Sequence, residues 1–368
     1  MKYISLEELN RLLEKEDLTK NNHHCIGLIV NILYKKLEDY YSIKPTIEYG
    51  DRVVTVEDNY YTLGYLKDEI TLSERYTKYI TENTMLRTQM SSVIPKLLRN
   101  YKKDGDKLYI CPGIVYRRDV RDKTHVGEPH QLDIWYLTEK QKTRADLLEL
   151  VSVIIDSIEN IIKRKIEWRY SETSHNYTDD GIEVEIKHKG QWLEVLECGL
   201  ISKEILSNHN ISNYGGLALG LGLERLVMII KSIDDIRILY QHHPKIKKQL
   251  ENLSEYKQVS NQPSTRRDLS IAINKNINEE ELTELILNSL DLNQVNLIES
   301  IKIISETSYE NLPIIAVERL GIDVSQKNLL LRVVLRDLTN SIESQKANDI
   351  YTQIYKNIHQ GTSGYLIS

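Results

Sequence analysis

Residues 115–133 read VYRRDVRDKTHVGEPHQLD, and this stretch decides the fold: a strand ending in paired arginines, a charged loop with a histidine, and a return strand. The strands at 107–118 and 130–138 are expected to pair with YRRD facing HQLD. A distant run, GLALGLGLERLVMI at 216–229, has glycines at 216, 220 and 222 that let a strand and a helix approach closely, and it brings a second arginine. Arg117 and Arg225 are thus held on separate segments as fixed guanidinium forks. Forming an acyl-adenylate expels pyrophosphate from a pentacovalent phosphorus, and such forks suit charge that shifts between its oxygens. Together the segments describe a site that grips ATP and activates a carboxylate.

Helical spacing extends outward from this core. Leu6 to Leu13 and Ile26 to Tyr41 repeat at helical period, the second ending at Lys44-Pro45, which makes residues 1–45 a helical leader. Short strands are expected at 52–56 and 60–65, a polar helix-prone stretch at 85–103, and strands at 182–188 and 192–199. Between Lys140 and Lys165 the positions Leu147, Leu150, Val151, Ile154, Ile155, Ile158, Ile161 and Ile162 form the apolar stripe of a long helix packed on the sheet. Periodicity stops over 251–263, a linker. After it come a strand at 267–274, a helix at 278–290, strands near 296–306 and 328–336, a helix at 342–358 and a terminal strand. That βαββαβ order is a ferredoxin-like split βαβ unit over 264–368.

Composition narrows the class. The 368 residues suit two domains with a helical extension, and no apolar run approaches a membrane span. Glu7, Glu8, Glu14, Glu16 and Asp17 make the opening acidic where a targeting peptide is basic, so the protein is read as cytoplasmic. Cys25, Cys111 and Cys198 lie far apart without CxxC spacing, which argues for buried thiols over a disulfide framework or a zinc site. The net charge of −6 argues against a general nucleic-acid coat but leaves room for a local basic face. Lys96–Lys103, Lys163–Lys165 and Lys245–Lys248 read first as the wet sides of helices. Phenylalanine is absent, while tyrosine occurs 23 times. Leu and Tyr stand where helices and strands would accept Phe, so the residue itself has been avoided.

The ordered segments TMLRTQMSS (84–92), GIVYRRD (113–119), HQLD (130–133), WLEVLECG (192–199) and GLGLERL (220–226) resemble the catalytic subunit of phenylalanine-tRNA ligase, a class II aminoacyl-tRNA synthetase, over the first 250 residues. PSTRRDLSIAI (263–273) and LRDLTNSIESQKAND (335–349) resemble the anticodon-binding domain that ends that enzyme's other subunit. The fusion is similar to the single-chain organellar form. The resemblance implies an α+β fold: a class II catalytic domain over 46–250, built as an antiparallel sheet flanked by helices, and a ferredoxin-fold anticodon-binding domain over 264–368. It implies ATP and an amino acid as substrates, tRNA as partner, Mg2+ as the metal, and a monomer, with a homodimer as the alternative.

Roles follow where residues match. By resemblance Arg117 holds the α-phosphate, Asp119 stands where the family often has Glu at the adenine edge, His125 touches the β- or γ-phosphate, and Arg225 meets the γ-phosphate next to Gly222. Gln131 and Asp133 occupy the positions for the substrate ammonium, with Asp133 one methylene shorter than the usual Glu. Ser91 matches a hydroxyl near the amino acid, Ala218 the small residue that leaves room for the ring, and Asp179 a magnesium carboxylate beside the ATP phosphates. The departures fall where the substrate side chain lies. The family's two-ring FPFT-like segment is replaced by His175, Asn176, Tyr177 and Thr178, and Gln89 and Ile94 replace its His and Gln. A changed buried partner is worth about 1–3 kcal/mol, enough to reorder similar side chains, so the expected substrate is Phe or a polar aromatic analogue. A paralogue loading a non-tRNA acceptor, or a silent amino-acid or tRNA sensor, is the alternative.

Overall fold

The computed structural model describes residues 2–259 and 262–363. It divides the chain into two compact units: one of the residues through Arg117 with Glu128–Asp234 and Lys247–Tyr256, the other of Arg118–Gly127, Asp235–Ile246 and the chain from Lys257 onward.

The first unit opens with α1 (Leu6–Leu13) and α2 (Cys25–Tyr41). Its strands are β1 (Thr46–Ile47), β2 (Val53–Thr55), β3 (Thr84–Leu86), β4 (Lys107–Ile114), β5 (His130–Thr138), β6 (Trp168–Glu172), β7 (Thr178–His188), β8 (Gln191–Ile201) and β9 (Gly215–Gly222). Seven of them form one sheet in the order β1-β4-β5-β9-β8-β7-β6, and β2 pairs with β3 apart from it. Only the short β1–β4 pair is parallel; every other neighbour runs antiparallel. The helices of this part of the chain are α3 (Val56–Asn59), α4 (Ile94–Arg99), α5 (Arg144–Ile162), α6 (Lys203–Asn208) and α7 (Leu223–Lys231), followed by α8 (Pro244–Leu250).

The apolar stripe of α5 is buried from Leu147 to Ile158, and α2, α5 and α7 pack together, with α5 and α7 on the sheet. At Gly216 a Cβ would lie 1.9 Å from the Tyr136 carbonyl oxygen, so β5 and β9 run together only because that residue is glycine. Lys231 ends α7 fully buried, and its ammonium donates to the carbonyls of Gln249, Asn252 and Ser254 at 2.8, 2.9 and 2.7 Å.

Three expectations fail locally. YRRD does not face HQLD: β4 ends at Ile114, and it is Cys111–Ile114 that pairs with His130–Asp133. The run at 60–65 is a 3-10 turn, Tyr61–Leu63, closed by Gly64 at φ +88°, because its N–H groups bond locally, Leu63 to the Tyr60 carbonyl and Gly64 to the Tyr61 carbonyl. The helix expected over 85–103 starts at Ile94, with Pro95 in its first turn, because Thr84–Leu86 is used as the strand β3 against β2.

The second unit contains β10 (Thr265–Asn274), α9 (Glu279–Asn288), α10 (Leu292–Leu297), β11 (Ile298–Ser308), α11 (Ile314–Leu320), β12 (Gln326–Leu335) and α12 (Ser344–Ile358). Its sheet is antiparallel in the order β10-β12-β11, the first-third-second order of a ferredoxin-like fold. Every second residue of β12 is buried, against Leu282 and Ile286 of α9 and Ile350 and Ile354 of α12. The expected terminal strand lies outside the described residues.

Candidate active site

Alternation along β5 puts Gln131, Asp133 and Trp135 on one face, and each finds a different partner. Gln131 Oε1 accepts the Met90 backbone N–H at 3.1 Å. The Asp133 carboxylate accepts the Ser91 hydroxyl, with both residues buried. Trp135 stacks on Tyr177, centroids 5.8 Å apart and planes 25° apart, and Tyr177 stacks in turn on His175 at 6.2 Å and 27°. Ala218 faces Trp135 across the β5–β9 pair and shares a buried cluster with it and Tyr177. Gln89 donates from Nε2 to the Asn59 carbonyl at 2.8 Å and accepts the Tyr65 hydroxyl on Oε1 at 3.2 Å.

Burial pushes the Asp133 carboxyl from 3.8 up to about 7; Ser91, Trp135 and Arg117 oppose the rise and Glu197 adds to it. The same burial drives the Tyr177 hydroxyl far above its ordinary value. A carboxyl of this kind is poised to take its charge from a cation that enters beside it.

The two arginines come from different elements. Arg117, just past β4, donates from Nε to the Thr88 carbonyl at 2.7 Å. Arg225, in the first turns of α7, places Nη1 3.3 Å from both the carbonyl and the Oε2 of Glu194. Both act by their charge on Glu197 of β8. Burial pushes its carboxyl up, but His175 at 3.3 Å, Arg117 and Arg225 more than offset this and leave it below 4.5. Next to Arg225, Glu183 is raised by burial and by Glu194, Glu197 and Glu185. Gly222 caps α7, and a Cβ there would meet nothing within 4 Å; one on Gly220 would come 3.3 Å from Asp133 Oδ1. The glycines thus leave space beside both the carboxyl and the helix start.

Asp179 is exposed on β7 opposite Leu200. Asp119 and His125 belong to Arg118–Gly127, which groups with the second unit. There Asp119 accepts the Val120 N–H at 2.8 Å, and His125 Nδ1 lies 2.8 Å from Asp122 Oδ2. Among the described residues no three His, Cys, Asp or Glu side chains group to hold a metal ion. Sequence reasoning missed Trp135, Glu197 and Tyr65. Trp135 continues the period of two after Gln131 and Asp133, and Glu197 interrupts an apolar strand, so both left a signal. Tyr65 left none.

Residues 34–250 match the family described as tRNA synthetases class II core domain (F), and the chain belongs to that family. Its relatives there are phenylalanine-tRNA ligases. The chloroplastic/mitochondrial enzyme of Arabidopsis thaliana is 26% identical over 352 residues, covering 92% of this chain and 76% of its own. The alpha subunit from Wigglesworthia glossinidia brevipalpis is 30% identical, covering 67% and 72%, and the mitochondrial enzyme of Saccharomyces cerevisiae 24% identical, covering 81% and 80%.

Proposed function

We propose that this ligase joins phenylalanine to tRNA through an aminoacyl-adenylate made from ATP. The observation that carries the reading is the buried Asp133 carboxyl, hydrogen-bonded to Ser91 and set on β5 between Gln131 and the stacked Trp135–Tyr177 rings, with the charge of both Arg117 and Arg225 reaching nearby Glu197. Asp133, Gln131 and Ser91 receive the ammonium, whose charge favours the ionised carboxylate. The substrate ring lies against Tyr177 and Trp135, with His175 and Gln89 at its edge and Ala218 giving it room. Tyr177 meets its neighbours with a ring face, so the departure from an all-Phe clamp still leaves an aromatic wall. This supports Phe over a polar analogue, and the relatives favour neither a non-tRNA acceptor nor a silent sensor.

Arg117 at the α-phosphate and Arg225 at the γ-phosphate stabilise charge as the amino acid's carboxylate attacks phosphorus and pyrophosphate departs. Gly222 leaves space at that end. Magnesium, when bound, neutralises phosphate charge. Phosphate oxygens and one carboxylate, Asp179 by resemblance, would hold it, and Glu183 and Glu194 have the donor chemistry to contribute. The single-chain arrangement is read as a monomer, which sedimentation checks. Amino-acid-dependent exchange of pyrophosphate into ATP, followed by charging of total tRNA, tests the whole. Exchange with phenylalanine is the expected result, and silence with every aromatic amino acid refutes it.

A further inference from the structure

A buried carboxylate outside the substrate contacts ties the two halves of the site together. Glu224, the residue before Arg225, is 2% exposed, and His130, the residue before Gln131, is fully buried. Both Glu224 oxygens accept the His130 backbone N–H at 2.9 Å, and Oε1 also lies 2.6 Å from His130 Nδ1. On the ring's far side, Nε2 accepts the Leu18 backbone N–H at 3.0 Å. An Nε2 that accepts has no proton, so the imidazole is neutral with its proton on Nδ1, donated to Glu224. Asp17 stands 4.0 Å from Nε2, but its Oδ1 is already taken by the Thr19 backbone N–H at 3.1 Å and by the Thr19 hydroxyl. The link falls where Gln131 pairs with Gly222, so it pins the start of β5 to the first turn of α7.

We infer that Glu224 and His130 are positioning residues that hold Arg225 on the ATP side and Gln131 and Asp133 on the amino-acid side in a single frame, with the Leu18 amide fixing the tautomer. This rests on the functional reading above. The link touches neither substrate; its effect is on where the contacting groups sit.

Glu224→Gln tests it. The new amide sets a donor against either Nδ1–H or the backbone N–H. The ring can escape only by moving its proton to Nε2, where it meets the Leu18 N–H. The expected result is a rise of about tenfold in KM for ATP and for phenylalanine together in pyrophosphate exchange, with wild-type circular dichroism and melting near the wild-type temperature. His130→Asn keeps a donor in the Nδ1 position and is expected to stay within a few-fold of wild type, while His130→Leu behaves like Glu224→Gln. A variant that lowers only the melting temperature, or raises only one KM, overturns the inference and leaves the function standing. Wild-type protein that exchanges with no amino acid overturns both.

Composition carries a second inference independently. The chain has no Phe among its 368 residues, and packing does not explain it. Tyr41 stacks on Tyr136 with centroids 4.2 Å apart, yet its hydroxyl is buried without a hydrogen-bond partner, so Phe would supply the ring without stranding an oxygen. The composition points to a ligase whose synthesis does not draw on its own product: ribosomes starved of charged phenylalanine tRNA stall at Phe codons, and this message has none. This too rests on phenylalanine being the substrate.

The test is a reconstituted translation mixture lacking phenylalanine-tRNA ligase and charged phenylalanine tRNA, but holding free phenylalanine, uncharged tRNA and ATP. The wild-type message is expected to yield full-length ligase and then, after a lag, a Phe-containing reporter. A Tyr41→Phe message is expected to yield neither, although the same variant made in a complete mixture is active. If purified ligase charges the tRNA but its message never starts the reporter, this inference fails alone. If purified ligase does not charge the tRNA, the substrate assignment fails with it.

Discussion

Replacing Asp133 by Asn should make the protein more stable and inactive at once. The carboxyl sits at about 7 in the fold against 3.8 in an open chain. Below 3.8 both states hold the proton and the residue is neutral to stability. Between 3.8 and about 7 the unfolded chain releases the proton while the fold retains it, so stability falls as pH rises through that window, and above it the whole cost is present. The gap spans about three pH decades at about 1.4 kcal/mol each, so ionised, unliganded Asp133 costs the fold on the order of 4 kcal/mol. Asn keeps an oxygen for the Ser91 hydroxyl and removes the charge. Urea unfolding of both proteins from pH 4.5 to 8.5 should show the Asn variant gaining on wild type up to about pH 7 and then holding a lead of roughly 2–4 kcal/mol. In the same variant phenylalanine-dependent exchange should collapse, since a neutral amide no longer balances the ammonium. A stability difference that is flat across the range would show that Asp133 is not held neutral by burial, and the account of the ammonium site would fall with it.

Arg117→Ala should lower the exchange rate by about 10²–10³-fold while circular dichroism stays unchanged, because a fixed donor to a reacting oxygen is lost. Lys231→Met should destabilise the protein by about 3 kcal/mol in urea unfolding, since three buried carbonyls lose a charged donor. Tyr41→Phe should raise stability by about 1 kcal/mol in the same assay, and a loss would mean the hydroxyl is satisfied after all.

The long periodic elements were legible in the sequence because their stripes are complete: α2, α5 and the β9–α7 junction stand where the spacing put them, while β4 pairs with β5 as expected but stops at Ile114, which shifts the register away from YRRD. Short elements were not. β6, α6, α10 and α11 have at most seven residues, too few to show a period, although Asp291 with Gln294 forms a capping box that marks the start of α10. In the site, the face of β5 could be read from alternation. The charge that Arg117 and Arg225 both bring to Glu197 could not, because it depends on how the fold places two arginines distant in sequence around β8. The leader's part in holding His130 was equally hidden, since a backbone N–H leaves no trace in residue type.

That last contact bears on anyone who wants a smaller catalyst. The family match begins at residue 34, which invites trimming everything before it. Such a cut would discard the Leu18 amide, free the imidazole to swap tautomers, and loosen a joint more than a hundred residues downstream. On the positioning role inferred for His130, a working shorter version of this chain is expected to begin ahead of Leu18, and a tag fused at that end needs enough slack to leave the amide where it is.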